Sequence, residues 1–261
     1  MITSAQNERV KYVRSLARRR VRQREGRFVV EGTRLLDELV GAGIEPALVF
    51  YTAAWTESPA GQRLLPQIRT AEGAWPVTDA VMAACADTQT PQGVLAVVPF
   101  LSLSPRPGLL LILDAIRDPG NLGTILRSAE SAGVGQVLLA PGTVDLYNPK
   151  VVRGAMGAHF RLPVFSHDWP EIGQRASGRA VWLADAAGET AYDAVDWMRP
   201  SALIVGAEAS GAGEEAAQLA TGRVSIPMTG GAESLNAAMA TTVILFEAAR
   251  QRRISARKET S

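Results

Sequence analysis

The stretch LDAIRDPGNLGTILRSAESAG, Leu113 to Gly133, lies between two short apolar runs, Leu109–Leu113 and Gln136–Ala140. The runs predict buried strands. Pro119-Gly120-Asn121 predicts a turn, and Leu122–Ala132 predicts a helix after it. The pattern is strand, polar glycine-rich loop, helix, strand, and it continues down the chain. Further strands are expected at Ala180–Ala184, Ala202–Val205 and Arg223–Ile226. Further helices are expected at Pro149–Met156, Pro170–Ala176 and Leu235–Arg250. This alternation predicts an α/β domain over residues 109–250 with a mostly parallel sheet.

Upstream, Pro99, Pro105, Pro107 and Gly108, with Ser102 and Ser104 among them, mark a linker at residues 101–108. Residues 1–100 read as a smaller α/β unit. Strands are expected at Arg27–Val30, Ala47–Tyr51, Trp75–Val77 and Gly93–Pro99. Helices are expected at Thr33–Val40, Gly61–Thr70 and Asp79–Ala86. At its start, Val10, Val13, Ala17 and Val21 form a helical apolar stripe, with arginines over most of the remaining face.

The chain has 261 residues, 47% hydrophobic and 20% charged, which is ordinary globular composition. The longest uninterrupted apolar run, Ala80–Ala86, is far below the ~20 residues of a membrane-spanning helix. The N-terminus lacks the apolar core of a secretory signal. A single cysteine, Cys85, excludes an internal disulfide and a multi-cysteine zinc site. A cytoplasmic location is expected. The net charge of +1 hides a basic arm: Arg9 to Arg27 holds nine basic residues and one acidic one. Residues 251–261 form a basic tail. So one-sided a run is a nucleic-acid footprint, with Arg9, Lys11, Arg14, Arg18, Arg19 and Arg20 as candidate RNA-binding residues. A solvated helix face is the competing reading.

In an open α/β sheet, ligands bind where strands end at their carboxyl edge. Three such loops here are polar and glycine-rich: Leu113–Gly133, Ile204–Glu215 and Ile226–Ala240. Asn121 and Arg127 stand out in the first, Gly206 and Gly211 in the second, Ser234 and Asn236 in the third. Each also has a plain reading. Asn121 or Ser234 can be a bare N-cap, Arg127 a solvated charge, and the glycines a turn. No GxGxxG follows a strand, and there is no GxxxxGK[ST] or GxSxG. His159 and His167 lack metal-ligand spacing.

Taken in order, the three loops resemble the motifs of the SpoU (TrmH-type) RNA 2′-O-methyltransferases of the SPOUT superfamily. The first matches through Asn121-Leu122-Gly123 with Arg127, Ala129 and Glu130. The second matches through Gly206-Ala207-Glu208-Ala209-Ser210-Gly211, and the third through Ile226-Pro227-Met228 and Glu233-Ser234-Leu235-Asn236. The segment Asn148–Val164 is similar to the family pattern as well. Ala207 stands where many members carry Asn, and Ala212 where a larger apolar residue is common. The N-terminal stretches ITSAQNERVKYVRSL and RFVVEGTRLLDELV resemble the RNA-recognition domain often fused to SpoU domains.

The resemblance implies a C-terminal trefoil knot, a homodimer through that domain, and S-adenosylmethionine as cofactor without a metal. It implies methyl transfer to a ribose 2′-hydroxyl, with ribosomal RNA the expected substrate. Arg127, Asn121, Glu208, Ser234 and Asn236 are then the implied catalytic residues, and Ala184, Gly206, Ile226 and Leu235 the cofactor-binding ones. Two rival functions remain: a catalytically silent RNA-binding module of the same fold, and a nucleotide-dependent oxidoreductase. The missing GxGxxG weighs against the second.

Overall fold

The computed structural model describes residues 1–207, 211–230 and 234–259, with side chains through residue 255. The chain divides into two units. Unit 1 is Met1–Ser102 with Asp145–Phe160; unit 2 is Leu103–Val144 with Arg161–Ser261.

Unit 1 opens with α1 (Glu8–Ser15) and α2 (Arg19–Glu25). The apolar stripe from Val10 to Val21 therefore does not run through one continuous helix. The break has a cause. Arg22 is buried, and its guanidinium takes the carbonyls of Leu16 and Ala17 at 2.8 and 2.7 Å. A continuous helix would give those oxygens to backbone amides one turn further on. The same side chain forms an ion pair with Asp145. Then follow β1 (Arg27–Glu31), α3 (Thr33–Gly41), β2 (Leu48–Tyr51), α4 (Ala53–Glu57), α5 (Pro59–Leu64), β3 (Ala74–Pro76), α6 (Asp79–Cys85) and β4 (Val94–Pro99). The helix expected over Gly61–Thr70 stops at Leu64. Pro66 follows in a short 3₁₀ turn, Leu65–Gln67, where it cannot donate a backbone hydrogen bond. The sheet order is β1-β4-β2-β3, with β4 antiparallel to both neighbours.

Unit 2 contains β5 (Leu110–Leu113), α7 (Pro119–Ser131) and β6 (Gln136–Leu139). The chain then passes through α8 (Pro149–Gly154), which belongs to unit 1. It returns as β7 (Val164–Ser166), α9 (Trp169–Ala176), β8 (Ala180–Ala184), β9 (Thr190–Ala191), β10 (Ser201–Val205), α10 (Glu214–Leu219), β11 (Gly222–Ser225) and α11 (Ala237–Glu259). The sheet runs β7-β6-β5-β10-β8-β11-β9, and every pair is parallel. All residues of β5, β6 and β10 are buried, as strands covered on both faces require. Sequence order reverses between β5 and β10, which makes that edge a topological switch point. On α7, Leu122, Ile125, Leu126 and Ala129 form the buried stripe. Short elements such as β7, β9 and α10 carry too few residues to show a period.

The segment Asp145–Phe160 falls inside the second domain by sequence, yet it groups with unit 1. The Tyr147 ring stacks on Phe100 at 3.8 Å and lies 4.7 Å from Phe28. Val152 and Phe160 join the apolar cluster of Phe28, Leu36 and Ala96 on one face of the sheet, while Leu95 and Val97 pack into a second cluster with Val10 and Val13. His159 is buried, with Nε2 placed 2.9 Å from the Leu146 carbonyl, and its Nδ1 has no protein partner. Burial pushes the imidazole down to about 4.

The sign of that shift sets a pH window. A free imidazole protonates near 6.5, the folded one only near 4, so between these values the unfolded chain binds more protons. Stability is therefore full above about pH 6.5 and falls as pH drops toward 4, by roughly 3 kcal/mol for this group alone. His159→Gln keeps a donor for Leu146 and removes the titration. Urea unfolding from pH 7 to 4.5 should show a shallower acid loss in the variant; identical slopes would contradict the assignment.

Candidate functional site

The carboxyl ends of β8, β10 and β11 surround a cavity of about 680 Å³ in unit 2. Ala184, Gly206, Ile226 and Leu235, the four expected cofactor residues, all line it, as do Ser234 and Asn236. Val205, Val224 and Ile244 supply apolar wall, and Asp185 and Arg223 supply charge.

Side-chain bonds draw the loops together. Asp114, buried at the end of β5, accepts the Gly213 amide at 2.6 Å and so ties the first loop to the second. Asn236 Nδ2 donates to Asn121 Oδ1 at 3.1 Å and ties the third to the first. Deeper along the same helix pair, the hydroxyls of Ser128 on α7 and Thr242 on α11 are 2.8 Å apart.

The expected caps are reassigned. Asp118, not Asn121, caps α7: its Oδ1 accepts the Asn121 amide at 2.8 Å, and Pro119 takes the first helical position. That places Asn121 inside the first turn with its side-chain oxygen facing Asn236. On α11 the cap is Asn236 rather than Ser234, for Asn236 Oδ1 accepts the Ala238 amide at 2.9 Å. One amide thus holds the helix start with its oxygen and reaches Asn121 with its nitrogen.

Gly206 lines the cavity, and its lack of a side chain also serves the loop itself. A Cβ there would meet the Ala212 amide nitrogen at 2.5 Å, so the glycine lets the second loop fold onto itself. A bridge between Ala207 and Gly211 closes that fold, with the Gly211 amide donating to the Ala207 carbonyl at 2.9 Å. Glu208 and Glu233 lie outside the described residues. Arg127 is exposed on α7 and is not part of the cavity wall. Asp114 and Asp118 were missed by motif reasoning, though an Asp one residue before Pro at a helix start is a readable cap signal.

In unit 1 the basic arm is divided. Arg22, Arg24 and Arg27 are engaged by Asp145, Glu25 and Glu72. Of the candidate RNA-binding residues, Arg9 lies over the Trp75 ring at 4.2 Å and Lys11 pairs with Glu8 at 2.8 Å. Arg14, Arg18, Arg19 and Arg20 are exposed. Among the described residues there is no group of three or more potential metal ligands, and no helix long and apolar enough to cross a membrane.

Residues 108–246 match the model of the SpoU rRNA Methylase family, and residues 7–96 match the MRM3-like substrate binding domain. The chain is 33% identical to the 23S rRNA (guanosine(2553)-2'-O)-methyltransferase RlmP of Bacillus subtilis, over 94% of this chain and 97% of that protein. It is 35% identical to a 23S rRNA (uridine(2479)-2'-O)-methyltransferase of Streptomyces viridochromogenes, over 94% and 90%. The crystal structure of the SpoU methyltransferase AviRb from Streptomyces viridochromogenes in complex with AdoMet superposes with a TM-score of 0.83. That match has 30% identity and covers 95% of this chain and 99% of that one. The chain belongs to the SpoU rRNA Methylase family.

The double duty of Asn236 gives a test. Asn236→Ala removes the cap of α11 and should cost about 1 kcal/mol in urea unfolding. Asn236→Asp keeps the capping acceptor at the positive end of the helix and loses only the donor to Asn121, so it should lose less than the alanine variant. Equal losses in the two variants would contradict the capping role.

Proposed function

We propose that this protein transfers the methyl group of S-adenosylmethionine to a ribose 2′-hydroxyl in ribosomal RNA. The observation that carries the reading is the cavity at the strand ends, walled by the second and third family loops and the turn after β8, with the first loop tied to both through Asp114 and Asn121. Its volume lies within the ~300–1,000 Å³ usual for small-molecule sites. The donor set fits the cofactor, with apolar walls for an adenosine and backbone polar groups at Gly206, Ile226 and Leu235 to orient it. When bound, S-adenosylmethionine supplies an electrophilic methyl on a sulfonium.

The chain's own task is to align the 2′-oxygen and stabilise the charge that develops there. Alignment can supply about 7–11 kcal/mol of barrier reduction in well-oriented systems. A guanidinium side chain is a cation and not a free base, so the role of Arg127 is electrostatic, beside the 2′-oxygen and adjoining phosphate. Its exposure on α7 suits contact with RNA arriving from solvent. Asn121, Ser234 and Asn236 orient the ribose, and the Asn121–Asn236 bond fixes their mutual position. A 2′-hydroxyl is common to all ribonucleotides, and the relatives named above act on a guanosine in one case and a uridine in the other. Arg9, Lys11, Arg14, Arg18, Arg19 and Arg20 are all exposed on the arm and would meet phosphates.

A homodimer through unit 2 and a knotted C-terminal region complete the reading. Met239 and Phe246, seven residues apart on α11, are 59% and 49% exposed, and a second copy would cover such an apolar pair. Sedimentation as a monomer at micromolar concentration would contradict the dimer. A reducing cytoplasmic setting suits the one free cysteine, Cys85.

Single-turnover kinetics test the catalytic assignment. Arg127→Ala should lower methyl transfer on the order of 100–1,000-fold while leaving cofactor affinity nearly unchanged. Arg127→Lys should recover little, because lysine keeps the charge but loses the planar fork. Full activity in the alanine variant would remove Arg127 from the machinery, and a near-normal lysine variant would refute the two-pronged role.

A further inference from the structure

Among the described residues lining the cavity, two side chains are charged, Asp185 and Arg223, and the mechanism above uses neither. They form a built pair. Arg223 Nη1 donates to Asp185 Oδ2 at 2.6 Å, while Asp185 Oδ1 accepts the Ala187 amide at 2.9 Å. The Asp185 amide donates to the Val224 carbonyl at 3.0 Å, and the Gly188 amide donates to the Asp185 carbonyl at 3.0 Å. A Cβ on Gly188 would sit 2.8 Å from the Val224 carbonyl carbon, so only glycine lets this turn press against β11. The turn thus fixes Asp185, and Asp185 fixes Arg223. Both Asp185 oxygens are engaged, whereas among the described residues Arg223 uses one nitrogen of its five-donor guanidinium.

The cofactor brings complementary charge. Its amino-acid end carries a carboxylate, and an anion entering a partly enclosed cavity needs a cation or hydrogen-bond donors to replace water. Arg223 is the cation the described wall offers, and its fork matches a carboxylate. We propose that Arg223, held in place by Asp185, binds the carboxylate of S-adenosylmethionine and makes the cavity select the intact amino-acid end over adenosyl compounds that lack it. This rests on the cofactor reading above. Arg223 is a binding residue in this account, and Asp185 is a positioning residue. The Arg223 side chain is 55% exposed, which moderates the expected effect.

The test compares S-adenosylmethionine with decarboxylated S-adenosylmethionine, which lacks only the carboxylate, by calorimetry on the full chain. Wild type should bind the intact cofactor about tenfold more tightly. Arg223→Gln should lose about that factor for the intact cofactor and bind the decarboxylated one as wild type does, with Arg223→Ala behaving alike. Asp185→Asn should lose part of the preference. Equal weakening of both ligands, or no weakening of either, would overturn the proposal. Wild type binding neither ligand would instead overturn the cofactor reading on which it rests.

Discussion

The parallel pairing of β5, β10, β8 and β11 is the constraint on which the site depends. Parallel strands must each be followed by a connection that returns to the starting edge, so all their carboxyl ends collect on one side. Segments far apart in the chain therefore meet there. The buried Asp114 carboxylate bonds the Gly213 amide, 99 residues on, and Asn236 bonds Asn121 across 115 residues. Without the parallel sheet these are isolated polar residues in three loops; with it they brace one cavity.

Strands such as β5 and β10 were legible because burial on both faces makes them apolar runs of four or five residues between turn signals. The three loops were legible because glycine and polar residues cluster after those runs. Helix starts were less so. Cap choice is a matter of local backbone geometry, and Asp118 and Asn236 took roles that neighbouring residues could have filled. The break in the basic arm is not readable, because nothing in the sequence marks Arg22 as the buried arginine that takes the Leu16 and Ala17 carbonyls and pairs with Asp145. The close packing of Gly206 against Ala212 is a tertiary detail that a glycine in a polar loop does not announce.

The residues divide by task. The cavity wall combines apolar side chains with backbone groups and one fixed ion pair, which suits a small charged cofactor. Arg127, outside that wall and exposed, suits a nucleic acid. In unit 1 part of the basic arm is consumed by folding through Arg22 and Arg27, and part stands free in solvent. The charge run in the sequence is therefore a mixture of arginines engaged by the fold and arginines exposed to solvent, and only the packing separates them.

Methyl transfer to a ribose oxygen leaves its mark on the RNA itself. The most direct measurement incubates the purified protein with unmodified ribosomal RNA and isotopically labelled S-adenosylmethionine, digests the RNA to nucleosides, and identifies the labelled product by mass spectrometry. Label should appear on a single 2′-O-methyl nucleoside, in the sugar fragment. Label on a base, or none in RNA although the protein binds the cofactor, would contradict it.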